Sequence, residues 1–192
     1  MTETRSSRRR RPPRRITAEY LERAALAYLE RFASSAENLS RVLMRRVERA
    51  ARAGISDREE GRALVAALVE RYRARGLLDD RVYAEGRAKS LLRQGRPRMA
   101  IARRLAAKGV GTEDIEAALD SIAEDTPEPD LAAAIAFARR RRLGPFRTGD
   151  RAAFRDKDLA ALGRAGFSYE IARRVLEAET PEDLEAELDM RR

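Results

Sequence analysis

The sequence contains no cysteine, no histidine and no tryptophan. Without thiol or imidazole, histidine-assisted triads, cysteine nucleophiles, cysteine–histidine zinc sites and disulfides are all excluded. Aromatic residues amount to only 5%, which leaves few of the side chains that favour strands. No run of about 18 apolar residues is present to cross a bilayer, and no secretory apolar segment follows the basic N-terminus. The expectation is a cytoplasmic chain with no membrane association. There is also no glycine-rich phosphate loop and no paired-acid site outside helix caps, so no enzyme activity, cofactor or metal is expected. Lysine is scarce as well, with 3 Lys against 38 Arg, a preference that a GC-rich codon bias accounts for more readily than guanidinium chemistry does.

What is present in abundance is Ala, Leu, Arg and Glu, all strong helix formers, and 38% of residues are charged. The fold class expected is all-α. Net charge is +9 over 192 residues, which points to an acidic partner such as nucleic acid. Residues 1–15 hold seven Arg and one Glu, leaving 34 basic against 31 acidic residues from 16 to 192. That first segment, with Arg8 to Arg11 and Pro12-Pro13 and no apolar period, is expected to be a disordered Arg-rich tail. It is either a nonspecific phosphate-binding arm or a solvated tail.

From Ile16 the apolar spacing becomes helical. Thr17 caps a first helix carrying Tyr20, Leu21, Ala24, Ala25, Tyr28, Leu29 and Phe32 on one stripe, which ends near Ala33. Ser34, Ser35 and Asn38 offer caps for a second helix, which runs to Gly54, and Ser56 or Asp57 caps a third, ending at Gly76. Asp79-Asp80 opens a fourth. Gln94-Gly95 breaks it, Pro97 falls near N1 of a fifth, Gly109 stops that helix and Thr112 caps the next. Thr126 to Pro129 reads as a linker. Helices then follow over 131–143, 151–165 and 168–176.

The order recurs. Gly54-Ile55, Gly109-Val110 and Gly166-Phe167 each place Gly plus an apolar residue after a helix, 55 and 57 residues apart, and Tyr28 and Tyr83 are also 55 apart. Such a glycine takes the left-handed C′ conformation while its neighbour packs back on the helix. Fixed-period similarity predicts an elongated solenoid of three tandem three-helix repeats: 16–76, 77–125 and 131–178, with a linker at 126–130 and a C-terminal tail at 179–192. An isolated solenoid of this kind is expected to be a monomer.

The stretch RGLLDDRVYAEGRAKSLLRQGRPRMAIARRLAAKGVGTEDIEAAL resembles the central repeat of the RecX family. The resemblance rests on the Gly76 to Asp80 opening, Tyr83, the Gly95 break, the Ile101 to Leu105 helix, Lys108-Gly109-Val110 and the Ile115 helix. ALAYLERFASSAENLSRVLMRRV is similar to the family's first repeat, although Phe32 replaces a charged residue expected there. The third repeat matches more loosely, so the resemblance covers about residues 16–178. It implies a non-catalytic regulator of homologous recombination and DNA repair. Such a regulator binds in the groove of RecA recombinase filaments on single- or double-stranded DNA and depresses their ATPase and strand exchange.

Two basic clusters are the candidate contacts to DNA or partner. The first is Arg93, Arg96, Arg98, Arg103, Arg104 and Lys108, around a helix start whose free N–H groups could help hold a phosphate or an acidic protein patch. The second is Arg139, Arg140, Arg141 and Arg142, which sweep around a helix so that at least one faces any groove. Arginine serves DNA and acidic protein equally well, and a solvated helix face remains the plain alternative for both clusters. Arg45, Arg46 and Arg49 instead suit a helix C-terminus. Asp79-Asp80 could hold a divalent cation but fit helix capping better, and Tyr28, Tyr83, Phe137 and Phe167 are expected in the core. Two other functions remain open beside the filament regulator: an autonomous DNA-binding protein and a helical-repeat interaction scaffold.

Overall fold

A computed structural model describes residues 13–190, and all regular structure among them is helical, with no strand. Most of the basic tail at 1–15 lies outside the described residues. No helix among the described residues is long and apolar enough to cross a membrane. The chain packs as two compact units that divide after Leu78.

The first unit holds α1 (Ala18–Leu29), α2 (Ala36–Arg52) and α3 (Arg58–Ala74). Each starts where a side-chain oxygen accepts an otherwise orphaned backbone N–H: Thr17 from Tyr20, Ser35 from Asn38 and Asp57 from Glu60. Ser56, the other candidate cap for α3, has its hydroxyl accept from the backbone N–H of Ile16 at 2.8 Å instead. The first helix stops at Leu29, short of the expected Ala33, because the next residues turn to bury Ser34 and Ser35, and this leaves Phe32, expected on the inner stripe, beyond the helix and 50% exposed. The Asn38 amide donates to the Ser34 hydroxyl at 2.7 Å and to the Tyr28 hydroxyl at 3.1 Å, which holds that turn. Leu21, Leu39, Leu43, Val47, Val65 and Tyr72 form the core between the helices.

The second unit begins with α4 (Asp80–Arg93), α5 (Arg98–Ala107) and α6 (Thr112–Asp125). Their shared core is Ala84, Ala88, Leu91, Ile101, Leu105, Ala118 and Ile122. The small alanines on α4 let backbones approach closely. Asp79 caps α4 by accepting from Val82 at 2.9 Å, the structural role expected of the Asp79-Asp80 pair. Two boundaries differ from the sequence reading. Pro97 is the N-cap of α5 and not its N1, and Gly111, not Thr112, is the N-cap of α6, with no side-chain cap bond at either.

The remainder of this unit is α7 (Pro129–Arg141), α8 (Arg155–Ala165), α9 (Tyr169–Glu177) and α10 (Pro181–Asp189), with short 3-10 turns at Gly144–Phe146 and Ala152–Phe154. Pro129 and Asp130, read as linker, open α7; proline at a first helical position lacks only an N–H that would be unpaired anyway. Residues 179–192, read as a tail, carry α10. Its capping box pairs the Thr180 hydroxyl with the Asp183 N–H and the Asp183 carboxylate with the Thr180 N–H. The box anchors a helix that buries Leu184 in the core of Leu131, Ala134, Leu162, Ala172 and Val175.

The recurrent Gly-apolar pair has a single structural meaning. Gly54, Gly109 and Gly166 have φ of +67°, +76° and +100°, a region that a Cβ disfavours. The next N–H then reaches back five residues, from Ile55 to Ala50, Val110 to Leu105 and Phe167 to Leu162, at 3.0, 3.2 and 3.2 Å. These are Schellman closures, ending α2, α5 and α8.

Candidate functional site

The turn between α4 and α5 lies directly on α7. A Cβ placed on Gly95, whose φ is +71°, would stand 2.7 Å from the backbone nitrogen of Phe137 and 2.9 Å from the carbonyl oxygen of Ala133. Only a glycine lets the two backbones come this close. The consequence is positional, since the next residue, Arg96, is carried across to the C-terminal half of α7.

Arg96 there meets Arg140 and Arg141. An open cleft forms around them in two adjoining lobes that share Arg96, Phe137 and Arg141. One lobe, of about 360 Å³, extends to Gln94 and Arg140; the other, of about 500 Å³, extends to Ala161, Arg164 and Ala165. No carboxylate lines either lobe among the described residues. Arg164 comes from the end of α8, and Arg104, on α5, adds its charge to the field on Arg96.

Packing fixes these side chains in different ways. Phe137 is 6% exposed and lies under the guanidinium groups of Arg140 and Arg141, 5.9 and 5.7 Å from the ring centroid, within cation–π range. Arg140 also donates to the Gln94 carbonyl oxygen at 2.6 Å, one of the last carbonyls of α4. Arg96 is less well satisfied. Its Nε is buried with no hydrogen-bond partner among the described residues. Burial pushes the Arg96 pKa below the usual arginine range, and the charges of Arg104, Arg140 and Arg141 push it the same way.

The α5 start, where the sequence suggested an anion site, holds an acid of the same unit. The Asp130 carboxylate, from the first turn of α7, accepts from the Arg98 N–H at 2.7 Å. One of this unit's own acids thus occupies the positive end of α5.

Of the ten basic residues expected to contact DNA or partner, the structure gathers Arg96, Arg104, Arg140 and Arg141. Arg98 leans instead toward Asp120 at 4.0 Å. Arg139 pairs with Glu185 of α10 and lies 5.4 Å from the Phe146 ring centroid. Arg142 is the left-handed C-cap of α7, with φ +56°. Arg93, Arg103 and Lys108 are exposed near the end of α4, along α5 and at its C-cap. Arg164 was not singled out from the sequence. It stands alone between glycines at 163 and 166, and no charge cluster or repeat position marks it.

The expected core aromatics divide as well. Phe137 and Phe167 are buried, with ring centroids 5.8 Å apart, while Tyr28 and Tyr83 are partly buried against their cores. Among the described residues no group of three or more carboxylates could hold a metal ion.

Comparison with known proteins agrees with this architecture. The model of the second three-helix domain of RecX matches residues 79–119. A regulatory protein RecX of Myxococcus xanthus (strain DK1622) is 44% identical over 168 residues, covering 86% of this chain and 89% of the relative. One from Agrobacterium fabrum (strain C58 / ATCC 33970) is 39% identical over 106 residues, 55% of this chain and 54% of that one. A crystal structure of a regulatory protein RecX superposes with a TM-score of 0.56 at 21% identity, over 83% of this chain and 71% of that chain.

Proposed function

The chain belongs to the RecX family, and on that premise we propose that it restrains RecA recombinase filaments on DNA without catalysing a reaction itself. The observation that carries the reading is the near-full-length match to a named regulatory protein. The arginine-walled cleft supports it, because a partner made of DNA and protein subunits offers phosphates and acidic patches for guanidinium groups to bind.

The mechanism follows from binding preference. A bound protein lowers filament turnover only if it binds one filament state more tightly than the state that hydrolysis or strand exchange must pass through. A chain of packed helices that contacts several subunits at once makes such a distinction, since its contacts all fit only one subunit spacing. The nucleotide and its hydrolysis belong to the recombinase.

The test is ATP hydrolysis by the cognate recombinase on single-stranded DNA, titrated with the full chain and with a version lacking residues 1–15. Turnover should fall at substoichiometric protein, with the truncated version still active. Unchanged turnover at saturating protein, together with tight binding to bare DNA, would overturn the reading in favour of an autonomous DNA-binding protein.

A further inference from the structure

We infer that the cleft between Arg96, Arg140, Arg141 and Arg164 is a phosphate seat, built for a phosphate-bearing polyanion and not for the carboxylates of a protein surface. The inference deepens the filament reading and rests on it for its biological setting, but its chemistry can be tested alone.

Charge is the first argument. Four guanidinium groups line the cleft and a fifth, Arg104, acts on Arg96, while no acid among the described residues lines the walls. One glutamate or aspartate brings a single negative charge. A phosphate monoester, a polyphosphate or two successive diester groups bring about two or more.

Direction is the second. The guanidinium groups arise from the α4–α5 turn, the end of α7 and the end of α8, so their donors enter from several sides. A tetrahedral oxyanion accepts along several directions, whereas a carboxylate accepts in one plane.

The unfilled donor is the third. The Arg96 Nε is buried and unpaired, although such groups in folded proteins nearly always have a partner. Other buried or half-buried arginines of the same unit are met by this chain's own oxygens: Arg174 by Glu128 and Glu187, Arg147 by Asp158, Arg151 by three carbonyls. The cleft is where an external oxyanion would complete the set.

The experiment compares three full-length proteins: the wild type, an Arg96→Gln, Arg141→Gln, Arg164→Gln variant, and a charge-matched control with Arg41→Gln, Arg62→Gln and Arg73→Gln. The control residues are exposed and already paired with glutamates. Each protein is titrated against a labelled 20-nucleotide single strand over a range of salt, against tripolyphosphate, and against a polyglutamate peptide, with urea midpoints recorded as a check on folding.

The cleft variant should lose at least about tenfold more oligonucleotide affinity than the control, and its salt slope should fall by about 2, as three lost phosphate contacts imply. A parallel loss on tripolyphosphate supports a seat for phosphate however it is carried. A loss on the oligonucleotide alone supports a seat for the diester backbone. Equal losses in both variants, or a peptide that binds as tightly as the oligonucleotide and suffers the same loss, would overturn the inference. If the wild type leaves recombinase turnover untouched while the cleft variant still loses the oligonucleotide, the filament reading falls and the phosphate seat stands.

Discussion

Arg174 and Arg96 are partly buried arginines in the same helical unit, and they are treated in opposite ways. The Arg174 guanidinium donates to Glu128 at 2.7 Å and Glu187 at 2.5 Å, so it ties the start of α7 and the last turn of α10 to α9. These hydrogen bonds hold its pKa above the usual arginine range despite its burial. Arg96 has an unpaired buried Nε, three like charges acting on it and a lowered pKa. An arginine whose partners lie within the chain stabilises the fold. One that lacks them costs stability in the unbound state, and the cost is recovered only when a ligand binds. On the phosphate-seat inference, the difference separates structural arginines from binding ones where composition does not.

The largest test of that contrast leaves both arginines in place. Gly95→Ala forces a Cβ onto the α7 backbone at a position with φ +71°. Strain of about 1–2 kcal/mol from the left-handed conformation adds to an overpacking cost of about 1–3 kcal/mol. The urea midpoint should therefore show a loss of roughly 3 kcal/mol, and oligonucleotide affinity should fall with it as Arg96 moves. If stability fell but affinity held, Arg96 would not be a cleft residue.

A direct swap comes next. Arg174→Met leaves Glu128 and Glu187 without their partner and should cost about 2 kcal/mol, as lost hydrogen bonds to charged groups do. Arg96→Met should cost nothing or raise stability slightly, because it removes an unpaired buried donor and a like-charge neighbour. Denaturant midpoints of the two variants check the order. Equal destabilisation would mean that Arg96 has a structural role after all.

Much of the helical framework was legible in the sequence because its signals are local. The Gly-apolar pairs at 54, 109 and 166 are Schellman closures, and Thr17, Ser35, Asp57 and Asp79 are caps, all set by neighbouring residues. Residues 181–189 were missed since their apolar signal is thin: Leu184 and Leu188 alone face inward, and Thr180-Asp183 is the only strong start signal. The site was half legible. Arg140 and Arg141 belong to a visible run, but that run splits among an ion pair at Arg139, the cleft at Arg140 and Arg141 and a cap at Arg142, and only packing decides which goes where. Arg164 reaches the cleft through contacts between helices distant in sequence, which no local pattern reports. The acid at the α5 start is hidden from local patterns for the same reason, since Asp130 lies 32 residues beyond Arg98.

That long-range cap supplies a smaller test on the Arg96 side. Asp130→Ala removes the acceptor from the Arg98 N–H and should cost about 1 kcal/mol, a common value for a lost N-cap. It also strips a negative charge from the start of α5, so phosphate affinity should rise about two- to fivefold, the range that a helix-end charge of 0.3–1 kcal/mol implies. Stability and affinity would then move in opposite directions. A fall in both would make Asp130 part of the cleft's architecture and not a charge opposing its ligand.

The smallest effect falls within the arginine run itself. Arg142 ends α7 in the left-handed conformation that glycine occupies at 54, 109 and 166, and its N–H donates to the Arg139 carbonyl at 3.2 Å. Arg142→Gly relieves the Cβ contact that disfavours this conformation, and stability should rise by up to about 1 kcal/mol. Oligonucleotide affinity should change no more than for loss of any exposed charge, whereas Arg141→Gln should weaken it without raising stability. The two variants remove adjacent residues of identical charge, so net charge cannot account for a difference between them. If both lost affinity equally, the run would be acting as a diffuse positive surface, and the distinction between paired, capping and cleft arginines would have no bearing on binding.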